Sequence, residues 1–156
     1  MLIFALALVA ALQATPPGEE PVAPYPQSNA NAGTVPFKGT AMLEAFHGRA
    51  GIDRVTDTLI ARNVADPRIS DIFKNQDLVR LRRTLSEHFC YILGGGCNYT
   101  GRGMKEAHKD MGLQVADLAA MIENLQAAMT KEGVPFFAQN RLLAKLAPMK
   151  RDVVER

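Results

Sequence analysis

Three histidines, two cysteines and a cluster of glycines carry the coordination and redox chemistry open to this chain. His47 stands beside Gly48 at the mouth of the first strong helical pattern, where a short polar residue ordinarily serves the local backbone. His88 belongs to the apolar series Leu78, Leu81, Leu85, His88 and Ile92, whose spacings of 3, 4, 3 and 4 put all five on one helix face. An imidazole in that slot needs a partner, so it is either a hydrogen-bonded core histidine or a pocket residue and ligand. His108 closes the short stretch Met104-Lys105-Glu106-Ala107 and is followed by Met111, Gly112 and Leu113. By residue type it reads as a surface or structural histidine. Its setting, at the end of a short helical turn among soft apolar side chains, suits an axial ligand to haem iron.

Cys90 and Cys97 bracket Gly94-Gly95-Gly96 at the end of the His88 helix. Seven residues of straight helix span about 10.5 Å, beyond disulfide reach, so the two sulfurs meet only if the glycines turn the chain back. In an oxidising compartment the bonded pair is favoured, and closing a loop of that length contributes about 2.5 kcal/mol. Two buried thiols, or a zinc site shared with His88, are the alternatives. Two cysteines cannot build a four-thiolate zinc site, and no Cys-x-x-Cys-His is present for covalent haem attachment. The glycine triplet follows a helix and lacks the spacing of a phosphate-cradling loop. No nucleophile elbow or His-Glu-x-x-His occurs, so hydrolase chemistry has no visible constellation. Arg80, Arg82 and Arg83 form either a solvated helix face or a basic edge able to meet ligand carboxylates.

The elements that must position these residues are helices, because apolar residues recur three and four apart and strict two-residue alternation is absent. The first carries Ile52, Val55, Leu59 and Ile60 and stops at Pro67; the second runs from Leu78 to Ile92 and ends at the glycines. A third carries Val115, Leu118, Ile122, Leu125 and Met129 and ends near Gly133, and the last runs from Leu142 to Val153 with Pro148 inside it to bend it. Between Gly94 and Leu113 lies a glycine-rich, weakly periodic segment far longer than a helix connection needs. A bound cofactor is one way to order it. Ahead of the helices, residues 1–14 read as a signal-peptide-like apolar run that lacks a basic n-region and is too short to span a bilayer comfortably. Residues 15–40, with six of the nine prolines falling before residue 40, read as a linker. The folded domain is expected over residues 41–156, exported to the periplasm or cytoplasmic if the start site is wrong, with no stable membrane span after leader removal. The chain has 18 basic and 16 acidic residues, too even a balance for nucleic acid to be held by charge alone.

Taken in order, these stretches resemble a group 1 truncated haemoglobin. The resemblance covers residues 42–156 without a gap. It rests on Val64-Ala65-Asp66-Pro67-Arg68, Ile72-Phe73, Leu93-Gly94-Gly95, Tyr99-Thr100-Gly101 and Met104-Lys105-Glu106-Ala107-His108. It implies an all-α, two-over-two helical sandwich with a short proximal segment, holding haem b non-covalently. His108 is then the proximal iron ligand, Phe73 wedges against the porphyrin, and Leu81 and Leu85 line the distal side with His88 one turn on. Tyr99 resembles a residue that reaches a propionate, Arg80 meets propionates at the edge, and Met104, Leu113, Leu118 and Met121 form the proximal wall.

Two departures bear on activity. Where the family usually has a distal tyrosine this chain has Ile60, and the common distal glutamine corresponds to Leu85. A third, His47 in place of the first of two glycines, alters only the entry to the first long helix. The resemblance therefore implies reversible binding of a diatomic gas (oxygen, nitric oxide or carbon monoxide) in a largely apolar distal pocket. The alternatives are a haem redox enzyme of nitric oxide dioxygenase or peroxidase type, supplied by an electron donor, and a two-histidine electron-transfer protein in which His88 is the sixth ligand. A haem-free helical interaction module is the remaining class.

Overall fold

The computed structural model describes residues 13–155, so most of the leader-like run lies outside the described residues. The first helix, α1 (Ala41–Ala45), is a single turn that leads into α2 (Gly48–Ala65) through His47, whose φ of 60° is left-handed. The tightness of this corner shows at Gly51, where an added Cβ would stand 1.8 Å from the Phe46 carbonyl oxygen. After α2 the chain turns through the short α3 (Ser70–Phe73) into α4 (Leu78–Ile92). The carboxylate of Asp77 starts α4 by accepting the Arg80 backbone N–H at 3.0 Å. At its other end Gly94 adopts φ 81°, and its α-carbon lies so near the Phe37 carbonyl that a Cβ would approach to 2.8 Å. That reversal brings the α-carbons of Cys90 and Cys97 to 5.7 Å, and the two sulfurs are bonded.

One turn of helix, α5 (Met104–Ala107), precedes α6 (Val115–Lys131), where Asp117 accepts the Gln114 N–H at 2.9 Å. The last long helix is α7 (Phe136–Leu146). As the Pro148 position predicts, it gives way to a 3-10 turn at Ala147–Met149 before the final α8 (Lys150–Val153). Helix α2 packs on both α4 and α6, and α6 packs on α7. This is the all-α two-over-two sandwich expected from the sequence. Its centre is a single apolar cluster that includes Phe46, Ile52, Val55, Leu59, Phe89, Ile92, Met129 and Leu142. Inside it the amide of Asn124 donates to Asn63 Oδ1 and to Asp66 Oδ2, each at 3.0 Å, joining α6 to the end of α2. The Arg68 guanidinium beside Asp66 holds that carboxyl far below the usual range.

Residues 15–40 depart from the linker reading. They lie along α4 and the loop that follows it, placing a 3-10 turn (Asn29–Ala32) on the helix and burying Ala32 completely. Proline content correctly excludes helix here, but it says nothing of whether an extended segment is free or bonded to a neighbour. Among the described residues no helix is long and apolar enough to cross a membrane.

Candidate functional site

The residues singled out by spacing and by the resemblance fall into two groups on the folded chain. In the first, Ile60 on α2, Phe73 at the end of α3, Leu81 and Leu85 on α4, Met104 on α5, and Leu118 and Met121 on α6 are all only partly covered. Large apolar side chains left incompletely buried on α2, α3, α4, α5 and α6 are the candidates for lining a site that an apolar ligand completes. Leu85 and Met104 also touch the central cluster, and Leu113 is buried.

His108 caps α5 and is half-buried. Its Nδ1 lies 2.7 Å from the Met104 carbonyl oxygen. A carbonyl only accepts, so Nδ1 carries a proton, and in the neutral ring Nε2 keeps its lone pair. Among the described residues no hydrogen bond engages Nε2. An N–H bonded to a backbone carbonyl fixes the ring and raises the basicity of the other nitrogen, the arrangement that prepares an imidazole to ligate a metal. Among the described residues no group of three His, Cys, Asp or Glu side chains converges elsewhere. One prepared imidazole suits a metal whose equatorial ligands arrive with it, and the donor set fits haem iron.

The second group consists of side chains with hydrogen-bond or ion-pair partners within the chain. His88 is 5% exposed, and its Nε2–H donates to the Ala32 carbonyl at 2.8 Å. Burial holds its pKa below the ordinary histidine value, against the raising effect of that bond. The two-histidine expectation is therefore not met in this geometry: the ring is a satisfied core histidine, 5.0 Å from the Tyr99 ring. Tyr99 likewise turns inward, where burial raises its pKa and its hydroxyl donates to the Arg102 carbonyl at 2.8 Å. Arg80 is engaged by Glu19 at 3.2 Å and by Asp77 at 3.4 Å. Tyr99 and Arg80 each have a partner within the chain.

Sequence reasoning missed those partners. Glu19, Tyr25, Asn29, Asn31 and Ala32 come from the segment read as linker, and the one signal that marks them is the acidic pair Glu19-Glu20, complementary to Arg80, Arg82 and Arg83. Thr84 was missed too. It is half-buried, and its hydroxyl donates to the Arg80 carbonyl at 2.9 Å, so it offers no free proton to the distal side.

Comparison with known proteins agrees with this geometry. The bacterial-like globin family matches residues 41–155. A group 1 truncated haemoglobin of Synechocystis is 31% identical over an alignment of 121 positions that covers 74% of this chain and 98% of the relative. One of Tetrahymena thermophila is 32% identical over 97 residues, 62% of this chain and 80% of its own. The crystal structure of the truncated haemoglobin of Tetrahymena pyriformis in its Fe(III) form aligns with a TM-score of 0.70 at 28% identity, covering 74% of this chain and 98% of that one. The chain belongs to the bacterial-like globins and, within them, to the group 1 truncated haemoglobins.

Proposed function

We propose that the chain holds haem b non-covalently through Nε2 of His108 and binds a diatomic gas reversibly, as a carrier and not an enzyme. The observation that carries this reading is the Nδ1–H bond from His108 to the Met104 carbonyl, which leaves Nε2 without a hydrogen bond among the described residues. When bound, haem supplies the iron coordination position at which the gas is held. The chain supplies the orientation of the imidazole, the apolar walls that exclude water, and the polarity of the distal side.

That polarity is low. Ile60, Leu81 and Leu85 carry no donor, His88 is committed to Ala32, and Thr84 is committed to Arg80. Dioxygen draws negative charge from ferrous iron and gains from a hydrogen-bond donor, whereas carbon monoxide depends on one far less. This chain should therefore release oxygen rapidly. An electron donor that keeps the iron ferrous belongs to the same reading. Residence in an oxidising compartment such as the periplasm also belongs to it, and the Cys90–Cys97 bond supports that. The test is absorption spectroscopy of the purified chain supplied with haemin. A Soret band in the parent and none in His108→Ala is the expected result; equal bands in both would overturn the assignment of the ligand.

A further inference from the structure

The segment ahead of the family's first residue makes an unusual set of contacts for a tether. On the α4 side, both Arg80 and Arg83 close on the Glu19 carboxylate, which is 1% exposed. The Glu20 N–H donates to Asp77 Oδ2 at 2.8 Å, the Ala32 carbonyl accepts from His88, and the Phe37 N–H donates to the Ile92 carbonyl at 2.8 Å. On the other side lies the loop that leads into α5. There Tyr25 Oη donates to the Thr100 carbonyl at 2.7 Å, Asn31 Nδ2 to the Gly101 carbonyl at 3.2 Å, and the Tyr99 N–H to Asn29 Oδ1 at 2.8 Å.

The two sets of bonds come from one continuous stretch of chain, and their targets are the two supports of the site. Helix α4 carries Leu81 and Leu85; the loop at 98–103 delivers α5 and His108. A direct bridge between the supports also exists, because Glu87 accepts the Thr100 N–H at 2.9 Å and the Thr100 hydroxyl at 2.7 Å. Glu87 is itself held by Arg83 Nη1 at 3.0 Å, and Arg83 is held by Glu19. The carboxylate from the N-terminal segment thus stands at the head of the relay Glu19, Arg83, Glu87, Thr100.

We propose that residues 16–37 are a clasp for the haem site: by bonding at once to α4 and to the loop before α5, they fix the separation of its two walls and slow escape of the haem. The proposal rests on the haem reading above. Charge-assisted bonds at Glu19 and backbone-directed bonds at Tyr25 and Asn31 act on different supports, so losing all three lets the walls part without touching any residue of the lining.

The test uses the full-length chain carrying Glu19→Ala, Tyr25→Phe and Asn31→Ala together, with Gln139→Ala as a control. Gln139 is a buried residue on α7 that bonds to the Val134 carbonyl and Thr130. Haem transfer to excess apomyoglobin is followed by visible absorbance, and the thermal midpoint of each cofactor-free chain is measured beside it. Transfer from the triple variant should be faster than from the parent by about tenfold or more, equivalent to about 1.4 kcal/mol. Gln139→Ala, at a similar or larger loss of thermal midpoint, should transfer at the parent rate. A smaller acceleration in the triple variant overturns the clasp, and so does an equal acceleration in the control, which would make haem loss a matter of general stability. A parent that takes up no haem removes the reading on which the clasp stands, and that failure is visible before any variant is compared.

Discussion

Restoring a donor to the distal side should slow oxygen release by an amount that follows from the side chains present. In the parent, Thr84 and His88 are polar groups of α4 within one turn of Leu85, and backbone carbonyls of Arg80 and Ala32 already take their protons. Replacing Leu85 by Gln places a carboxamide N–H on that face with no competing acceptor on the half-buried lining residues Ile60, Leu81 and Phe73. A hydrogen bond to a charged group contributes about 1.5 to 3 kcal/mol, which corresponds to a roughly 10- to 150-fold change in a dissociation rate. Stopped-flow displacement of oxygen by carbon monoxide from the ferrous protein reads this rate directly. Leu85→Gln should release oxygen more slowly by that factor, while its carbon monoxide release, which gains little from a donor, should move far less. If the parent already releases oxygen as slowly as the variant, the parent holds a donor that this account of the distal side lacks, and the reasoning fails.

Two further outcomes follow from the same contacts. Reducing Cys90–Cys97 should lower the unfolding free energy by about 2.5 kcal/mol on the chain-entropy estimate for so short a loop, read as a drop in urea midpoint with dithiothreitol and absent in Cys90→Ala/Cys97→Ala. Burial depresses the His88 pKa in the folded chain, so between the ordinary histidine value near 6.5 and that lowered value the unfolded chain binds the extra proton. Stability should be full above pH 6.5 and fall as pH drops through this window, by at most about 1.4 kcal/mol per pH unit, and the slope between pH 6.5 and 5 should flatten in His88→Asn. That window lies above the range in which Glu19 and Asp77, whose pKa values are lowered by Arg83 and by the Arg80 N–H respectively, lose their charges.

The helices and the setting of His108 were legible in the sequence because both are written locally. The 3-4-3-4 series from Leu78 to Ile92 gives α4, whose capping Asp77 and terminal Gly94 mark both ends of the helix. His108 stands four residues beyond the carbonyl it bonds, so its setting is fixed within one helical turn. What the sequence did not disclose involves residues far apart along the chain. His88 pairs with a carbonyl 56 residues earlier, and Arg83 with a carboxylate 64 residues earlier. A periodic pattern says which face of α4 is apolar, but it cannot say that an extended, proline-rich segment supplies the acceptor lying on it. His88, whose spacing left a core role and a pocket role open, and Arg80 and Tyr99 share this cause: each has a chemically reasonable partner in a cofactor, and each also has one within the chain.

The segment between Gly94 and His108 also changes character in the folded chain. Its glycines and weak periodicity ask for something to order it, and a bound cofactor is one candidate. The protein orders it first: the Cys90–Cys97 bond closes its start, Glu87 holds Thr100, Asn29, Tyr25 and Asn31 hold residues 99 to 101, and the Tyr99 hydroxyl ties back to Arg102. Each bond fixes a backbone group that would otherwise be free to move, and together they reach within a few residues of Met104, whose carbonyl aims the His108 ring. An imidazole aimed before its ligand arrives gives up less conformational entropy on binding than one on a loose loop. The glycines are then needed less for mobility than for the close approach of backbone to backbone at Phe37 and Gly94, which is what lets α4 end sharply enough for the whole scheme to reach the proximal side.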